Sequence, residues 1–298
     1  MTQPSVFESE IVLPDEALRA KARTLIGFQS RYARVRDYLR LLLNKEELAN
    51  WNRKYHRGSL ALVDLIADQY PLVIFCGDVG TGKSATAECI ANQLIIDSTL
   101  EDSQLFKLST RVRGSGKVGE MGSLLTEAFQ KVGQSAGKGR KAILIIDEGD
   151  SLASARSQEH SHHEDKVGVN TLIQEIDSLR RFSGRVLTIL CTNRVAMLDP
   201  AILRRAAIVE EFKRPTCEER YELFAMDLAA LSLSQAQLGQ LASATGASGD
   251  QPDWSYSDIR TRLYPAALAR AFPDEPLRFE HLLNAVANLK PSPVMEDR

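Results

Sequence analysis

The sequence has few cysteines, no long apolar run and no surplus of either charge, and each shortage excludes something. Four cysteines, Cys76, Cys89, Cys191 and Cys217, are scattered through 298 residues. Cys76 and Cys191 close apolar runs, so buried thiols in a reducing compartment are expected, not a disulfide-stapled secreted domain. No apolar stretch approaches the roughly 18 residues of a membrane helix. Met1-Thr2-Gln3-Pro4-Ser5 lacks the basic start and apolar stretch of a signal peptide, so the expected location is cytoplasmic, with no membrane. Lys and Arg number 37 against 39 Asp and Glu, a net charge of -2. That speaks against holding nucleic acid by bulk charge and leaves only a local basic patch. Repeats and low-complexity segments are also missing. What remains, 44% apolar and 26% charged residues, is the composition of a globular chain with one large domain or two modest ones.

Short apolar runs alternate with helical patterns. Strands are expected over 72–76, 105–108, 142–146 and 186–190, with a fifth starting at Ala207. Between them, Ala87, Ile90, Ala91 and Leu94 recur at helical spacing, as do Leu125, Ala128, Phe129 and Val132, then Leu172, Ile176 and Leu179. Continuous apolar strands between amphipathic helices argue for an α/β fold with a parallel sheet covered on both faces. After Pro215 the strands stop. Helical faces follow at Tyr221, Phe224 and Leu228, at Leu238 and Leu241, at Ile259, Leu263 and Ala267, and at Phe279, Leu282 and Val286. The expected organisation is an N-terminal arm over 1–24, loose over its first 20 residues, a large α/β domain over 25–215 and a small all-helical domain over 216–298.

Gly77-Asp78-Val79-Gly80-Thr81-Gly82-Lys83-Ser84 lies between a buried strand and a helix. Its glycines let backbone N–H groups turn toward an anion, and the helix N-terminus adds partial positive charge. Lys83 neutralises the phosphates of a bound nucleotide, and the Ser84 hydroxyl reaches Mg²⁺. Asp147 and Glu148 end the strand over 142–146, at the carboxyl edge where open α/β sheets bind ligands. Asp147 suits the metal, and Glu148 suits orienting an attacking water, which favours hydrolysis. Asn193 ends the strand over 186–190 and is placed to reach the terminal phosphate or that water.

These motifs, followed by a helical domain, resemble the AAA+ ATPase family from about residue 25 to 289. Leu198-Asp199-Pro200-Ala201-Ile202-Leu203-Arg204 resembles the family's arginine-finger segment, and Ile26-Gly27 resembles its adenine-contacting turn. Within the family the chain is most similar to the pachytene-checkpoint group, which remodels HORMA-domain proteins. The similarity runs through 147–156, Val169-Asn170-Thr171-Leu172-Ile173-Gln174-Glu175-Ile176-Asp177, and Arg205-Ala206-Ala207-Ile208. The resemblance implies ATP and Mg²⁺, a homo-hexameric ring with ATP at each interface, a finger arginine reaching a neighbour, and central loops that grip a polypeptide. For compact bacterial members it implies a HORMA protein and its bound nucleotidyltransferase as partners, with antiphage signalling switched off by their separation.

The chain departs from the family at several points. Asp78-Val79 replaces two prolines. Lys117-Val118-Gly119 stands in the substrate pore loop, with Lys117 in place of an aromatic and with Arg111 and Arg113 nearby. The resemblance to the HORMA-remodelling group implies the finger at Arg205, with Arg204 next; the common family pattern uses the Arg204 position and a later arginine, where this chain has Ala207. Arg156 is a candidate for the subunit interface. Arg260 is displaced by three positions from the lid's sensor arginine and reads either as its substitute or as a surface residue. His160, His162 and His163, with Glu159, Glu164 and Asp165, read as a polar second pore loop rather than a metal site, and no His-Glu-x-x-His is present.

The expected function is ATP-driven protein remodelling. The segment 1–57, with 11 basic and 7 acidic residues, keeps a DNA-directed loader or transposition helper as an alternative. A protease-feeding unfoldase is another, although the C-terminal residues lack an apolar-Tyr-x docking tail.

Overall fold

The computed structural model describes residues 5–109, 112, 120–137, 139–153 and 163–295, excluding the side chains of 163–166. In chain order the elements are β1 (Phe7–Leu13), α1 (Glu16–Ala22), α2 (Phe28–Leu43), α3 (Lys45–His56), α4 (Leu62–Ala67), β2 (Leu72–Gly77), α5 (Lys83–Asp97), β3 (Ser103–Leu108), α6 (Glu120–Ser135), β4 (Ala142–Ile146), α7 (Gly149–Leu152), α8 (His163–Ser178), β5 (Val186–Thr192), α9 (Pro200–Leu203) and β6 (Ile208–Phe212). Four helices follow: α10 (Cys217–Asp227), α11 (Gln235–Ala244), α12 (Tyr264–Ala271) and α13 (Phe279–Asn288). A π-helical turn, Asp258–Leu263, runs directly into α12.

The strands form one sheet in the order β1-β3-β4-β5-β2-β6. Five are parallel, as the apolar runs predict. Side chains alternate across the sheet, so each parallel strand feeds two cores. Leu72, Ile74, Leu144, Ile146 and Leu190 pack with Leu125 and Phe129 of α6 and Leu172 and Ile176 of α8. Val73, Phe75, Ile143, Ile145, Leu187 and Ile189 pack on the other face with Leu39 of α2 and Ile90 and Leu94 of α5. Fully burying one such side chain contributes roughly 1.5–3 kcal/mol. A net backbone hydrogen bond contributes only about 0.5–1.5 kcal/mol, so the two apolar faces decide which strands occupy the centre.

The loose arm is corrected. β1 pairs antiparallel with β3, Glu10 opposite Phe106 and Leu13 opposite Ser103, and makes the sheet mixed. Its sequence, Phe-Glu-Ser-Glu-Ile-Val-Leu, buries only the two ends fully. A strand this polar is stable only beside an existing edge, which is why hydropathy does not announce it. The cysteine expectation also needs one correction: Cys76, Cys89 and Cys191 are buried, but Cys217 is exposed at the start of α10. No helix among the described residues is long and apolar enough to cross a membrane.

The C-terminal helices close around their own core of Leu223, Phe224, Leu241, Trp254, Ile259, Leu263 and Leu282, and Ile26 packs onto it from the large unit. Two capping boxes start these helices cleanly: Thr216 with Glu219 and Ser234 with Gln237.

At the sheet edge opposite the loop over 77–84, Lys141 is buried. Its Nζ donates to the Leu43 carbonyl at 2.8 Å and to Asn44 Oδ1 at 2.6 Å. Burial pushes its pKa down to about 8. A cation held below its unfolded value destabilises the fold while protonated, and that cost begins to be relieved as pH rises past the folded value, where the unfolded chain still holds the proton and the folded one does not. Wild-type stability is therefore expected to rise between pH 8 and 9, by up to about 1.4 kcal/mol per pH unit from this group. Above that window Cys89, which burial pushes up to about 11, acts in the opposite direction. Chemical denaturation of wild type and Lys141→Met at pH 7.5, 8, 8.5 and 9 checks this. Equal pH slopes in the two proteins would refute it.

Candidate active site

Parallel pairing brings three strand ends to one edge. β2 runs between β5 and β6, with Cys76 opposite Thr192 and Gly77 opposite Phe212. β4 flanks β5, with Ile146 opposite Leu190. The loop after β2, the acid pair after β4 and Asn193 after β5 therefore face the same cleft.

The loop has little room for side chains. Gly77 has φ +137, and a Cβ there would lie 2.0 Å from the Phe212 carbonyl oxygen. Gly80 has φ +76, and its Cβ would lie 2.6 Å from Ser255 Oγ and 2.7 Å from Ser257 Cβ. Gly82, also left-handed, leads into the 15-residue α5. The first-turn amides of that helix have no intrahelical acceptors and point partial positive charge into the cleft. Lys83 Nζ is folded into the same space, donating to the carbonyls of Gly77 at 2.9 Å and Asp78 at 2.8 Å. Burial lowers its pKa. The Thr81 hydroxyl braces the turn by donating to the Asp78 carbonyl at 2.8 Å. A buried ammonium satisfied only by carbonyls, next to a free helix start, fits a polyphosphate.

Asp147 and Glu148 separate as soon as β4 ends. The Glu148 N–H donates to Asp147 Oδ1 at 3.0 Å, which fixes that carboxylate at the strand end. Glu148 has φ 50 and ψ 46, a left-handed backbone that is rare for a glutamate, and its side chain is exposed. Ser84 is half-buried in the first turn of α5. Its hydroxyl and the Asp147 carboxylate are hard oxygen donors of the kind Mg²⁺ takes. Among the described residues no three acidic, His or Cys side chains cluster tightly enough to hold a metal by themselves, so phosphate oxygens and water would complete its shell. Asn193 is half-buried and lines a cavity of about 500 Å³ with Gly77, Asp78, Arg214 and Met295. Thr192, just before it, donates to Asp150 Oδ1 at 3.1 Å and ties β5 to the acidic segment.

The remaining candidates divide. Arg205 is half-buried and held within its own chain. It forks onto Asp177 at 2.5 and 2.9 Å, donates to the Ala201 carbonyl at 2.8 Å, and lies 5.2 Å from the centre of the Tyr70 ring. Arg204 is exposed, with no partner among the described residues. Arg260 forks onto Asp227 at 2.7 and 2.8 Å and donates to the Thr24 carbonyl at 3.0 Å. It thus ties the lid to the chain two residues before Ile26, while the Ser257 N–H of the lid donates to the Gly80 carbonyl of the phosphate loop at 3.1 Å. The π-helical turn inserts extra backbone between Ser257 and α12 and carries Arg260 toward Asp227. Lys117, Val118 and Gly119, with Arg111, Arg113, Arg156, Glu159, His160 and His162, lie outside the described residues, as do the side chains of His163, Glu164 and Asp165.

Lys107 was not anticipated. It projects from β3 with Nζ 3.8 Å from Asp147, 3.7 Å from Glu88 and 3.4 Å from Glu8, and Glu88 is held in turn by Lys21 at 2.6 Å. Burial pulls its pKa down, but Glu88, Glu8 and Asp147 outweigh that and hold it above the ordinary lysine value. The sequence signal was a single cation inside an apolar strand, Leu-Phe-Lys-Leu.

Residues 73–214 match the ATPase family associated with various cellular activities, AAA. A protein called CD-NTase-associated protein 6, from Escherichia coli strain KTE188, is 61% identical over 297 residues, covering 100% of both chains. The chain belongs to the AAA family of ATPases. A second relative of the same name, from E. coli strain MS 115-1, is 35% identical, covering 98% of this chain and 97% of that one. A chain of the solved E. coli MS115-1 HORMA:CdnC:Trip13 complex superposes with a TM-score of 0.90 at 33% identity, covering 99% of this chain and 100% of that one. Rhizobiales Trip13 superposes at 0.72 with 28% identity, covering 96% and 99%. This AAA protein is thus Trip13-like along its whole length, as the resemblance read from the motifs implied.

A divalent cation at Asp147 would meet the Lys107 ammonium, which stands 3.8 Å from that carboxylate. The two side chains are only 17% and 30% exposed, so at about 4 Å the pair is worth at least the roughly 1 kcal/mol it would have in water. Lys107→Met is expected to lower the free Mg²⁺ needed for half-maximal ATP hydrolysis by about five-fold. A Mg²⁺ titration at saturating ATP checks this, and an unchanged or raised midpoint would refute it.

Proposed function

We propose that this protein hydrolyses ATP in a homo-hexameric ring and uses the work to unfold part of a HORMA-domain protein, separating it from its bound nucleotidyltransferase. In a bacterial defence setting this ends cyclic-oligonucleotide signalling. The observation that carries the reading is the convergence of loop, acid pair and Asn193 on one sheet edge beneath a lid that touches the loop. Likeness to a chain of a HORMA:CdnC:Trip13 complex supports the choice of partner.

Each group has an assigned task. The amides of 77–84 and Lys83 bind the phosphates, and Ile26 and Gly27 lie against the adenine. Ser84 and Asp147 would hold Mg²⁺, which when bound neutralises charge on the phosphate oxygens. Glu148 orients the attacking water and draws off its proton, and Asn193 steadies that water and the terminal phosphate from β5. Arg260 reports nucleotide to the lid indirectly, through Thr24 and Asp227. Arg204 and Arg205 supply the finger: the exposed Arg204 reaches the neighbouring protomer, and Arg205, fixed by Asp177, sets the direction of the α9 end. Lys117, Val118 and Gly119 grip the polypeptide. The site works in the cytoplasm with ATP as substrate.

The DNA-directed reading loses its main motive in the folded chain. Arg31 lies 3.6 Å from Glu219, Arg34 pairs with Glu210, and Arg36 lies 2.9 Å from Asp37. These three arginines are thus paired with acids of the same molecule, whereas phosphate binding needs cations free to displace counterions.

The direct experiment mixes the protein, ATP and Mg²⁺ with a cognate HORMA–nucleotidyltransferase complex and follows its size by chromatography. The complex is expected to come apart. ATP consumed while the complex stays intact would sink the remodelling reading, and DNA-stimulated turnover with steep salt dependence would favour the alternative. Glu148→Gln is expected to slow hydrolysis by at least about a hundred-fold while ATP still binds, seen as ATP-bound rings. Arg204→Ala is expected to lower turnover by about a thousand-fold with nucleotide affinity retained, and wild-type turnover in this variant would move the finger to Arg205.

A further inference from the structure

Arg214 stands just before Pro215, where the large unit passes into the lid. Its side chain is buried, 8% exposed, and one guanidinium serves four acceptors. Nε donates to Asp78 Oδ2 at 2.5 Å, and Nη1 donates to the Asp253 carbonyl at 2.6 Å. Nη2 donates to the carbonyls of Ser292 at 2.9 Å and Pro293 at 3.1 Å. The first acceptor belongs to the phosphate loop, the second to the lid, and the last two to the segment after α13.

That segment, 291–295, returns across the molecule to the loop. Asp78 Oδ1 accepts from Val79 N–H at 2.8 Å within the loop and from Met295 N–H at 3.2 Å. It is also pinned to the lid. Ser292 donates through N–H at 3.2 Å and Oγ at 2.6 Å to Asp258 Oδ1. The other Asp258 oxygen accepts from Ser255 N–H at 3.0 Å and Oγ at 2.9 Å. Burial pushes the Asp258 pKa up, but these bonds from Ser292 and Ser255 outweigh it and hold the carboxyl below its usual range. From Ser255 the chain continues to Ser257, whose N–H closes the circuit on Gly80. A ring of bonds thus joins phosphate loop, domain junction, C-terminal strap and lid.

We propose that Arg214 is a positioning residue that clamps this strap to the phosphate loop, keeping the lid down over bound nucleotide and slowing its release. The proposal rests on the nucleotide reading of the loop. The loop holds phosphate from beneath, and the lid stands over it at Ser255 and Ser257. Lifting the lid must break Ser257–Gly80 and Arg214–Asp253, together with either the strap's bonds to Asp78 and Arg214 or its bonds to Asp258. The strap reaches Asp78 and Arg214 through backbone groups, so Arg214 and Ser292 are the side chains on which the clamp depends. An arginine is required because only its planar fork meets acceptors on several sides at once; a lysine can keep the charge beside Asp78 but not hold the strap.

The test measures release of mant-ADP from the full-length protein by stopped flow against excess ADP. Arg214→Gln, Arg214→Lys and Ser292→Ala are compared, with melting temperatures recorded. Arg214→Lys is expected to release mant-ADP about ten-fold faster and Ser292→Ala about three-fold faster, with association rates within about two-fold of wild type. An effect confined to dissociation distinguishes a clamp from general loosening of the site, which would slow association as well. Arg214→Gln also leaves Asp78 buried without its partner and is expected to weaken binding further. If Arg214→Gln fails to fold, the mild Ser292→Ala variant still decides the matter. Wild-type release rates in both Arg214→Lys and Ser292→Ala, or equal losses in association and dissociation, would overturn the clamp. Failure of the wild-type protein to bind mant-ADP would overturn the nucleotide reading itself, so the two failures are distinguishable.

Discussion

The parallel seating of β2 between β5 and β6 is the constraint on which the site depends. It brings Gly77 so close to the Phe212 carbonyl that no side chain fits, and it aims the following turn at the start of α5. It also sets the spacing from Gly77 across Thr192 to the end of β4. A slip of one residue in this register would turn every strand side chain to the opposite face and break the packing of both cores. The apolar cores on both faces therefore keep the three strand ends in alignment.

Charges around that edge are organised in two separate sets. Asp147, Lys107, Glu88 and Lys21 run from the acidic strand end toward α1. Asp78 and Arg214 lie on the other side of the phosphate loop. Paired charges of this kind add little to stability, because desolvation offsets most of the Coulomb attraction. What they supply is direction. Lys107 sets a counter-charge between Asp147 and Glu88, and Arg214 gives the loop a fixed anchor at the junction with the lid.

The lid is coupled to the loop by short polar contacts rather than by a shared apolar core. Its own core is closed around Trp254, Leu263 and Leu282, with Ile26 the main apolar visitor from the large unit. Contacts at Ser257, Arg260 and Arg214 are few and directional, so they can break and reform without exposing much apolar surface.

Chemistry carried by consecutive residues was readable before any coordinates. The loop 77–84, the acid pair at 147–148 and the strands that present them were legible because a buried parallel strand declares itself by an unbroken apolar run and the motif follows directly. The four lid helices were legible from spacing alone. β1 was not, because its polar residues make a strand only by borrowing the β3 edge. Lys107, Arg214 and the 291–295 strap were not, because their partners lie tens to hundreds of residues away, and the π-helical turn that redirects Arg260 has no hydropathic mark. Thus the sequence alone determined which strands end in the phosphate-loop pattern and the acid pair, since local order of residue types suffices for that. Only the tertiary structure decided which arginine stays exposed, which cation faces Asp147 and what holds the lid, since those depend on side chains that meet through space.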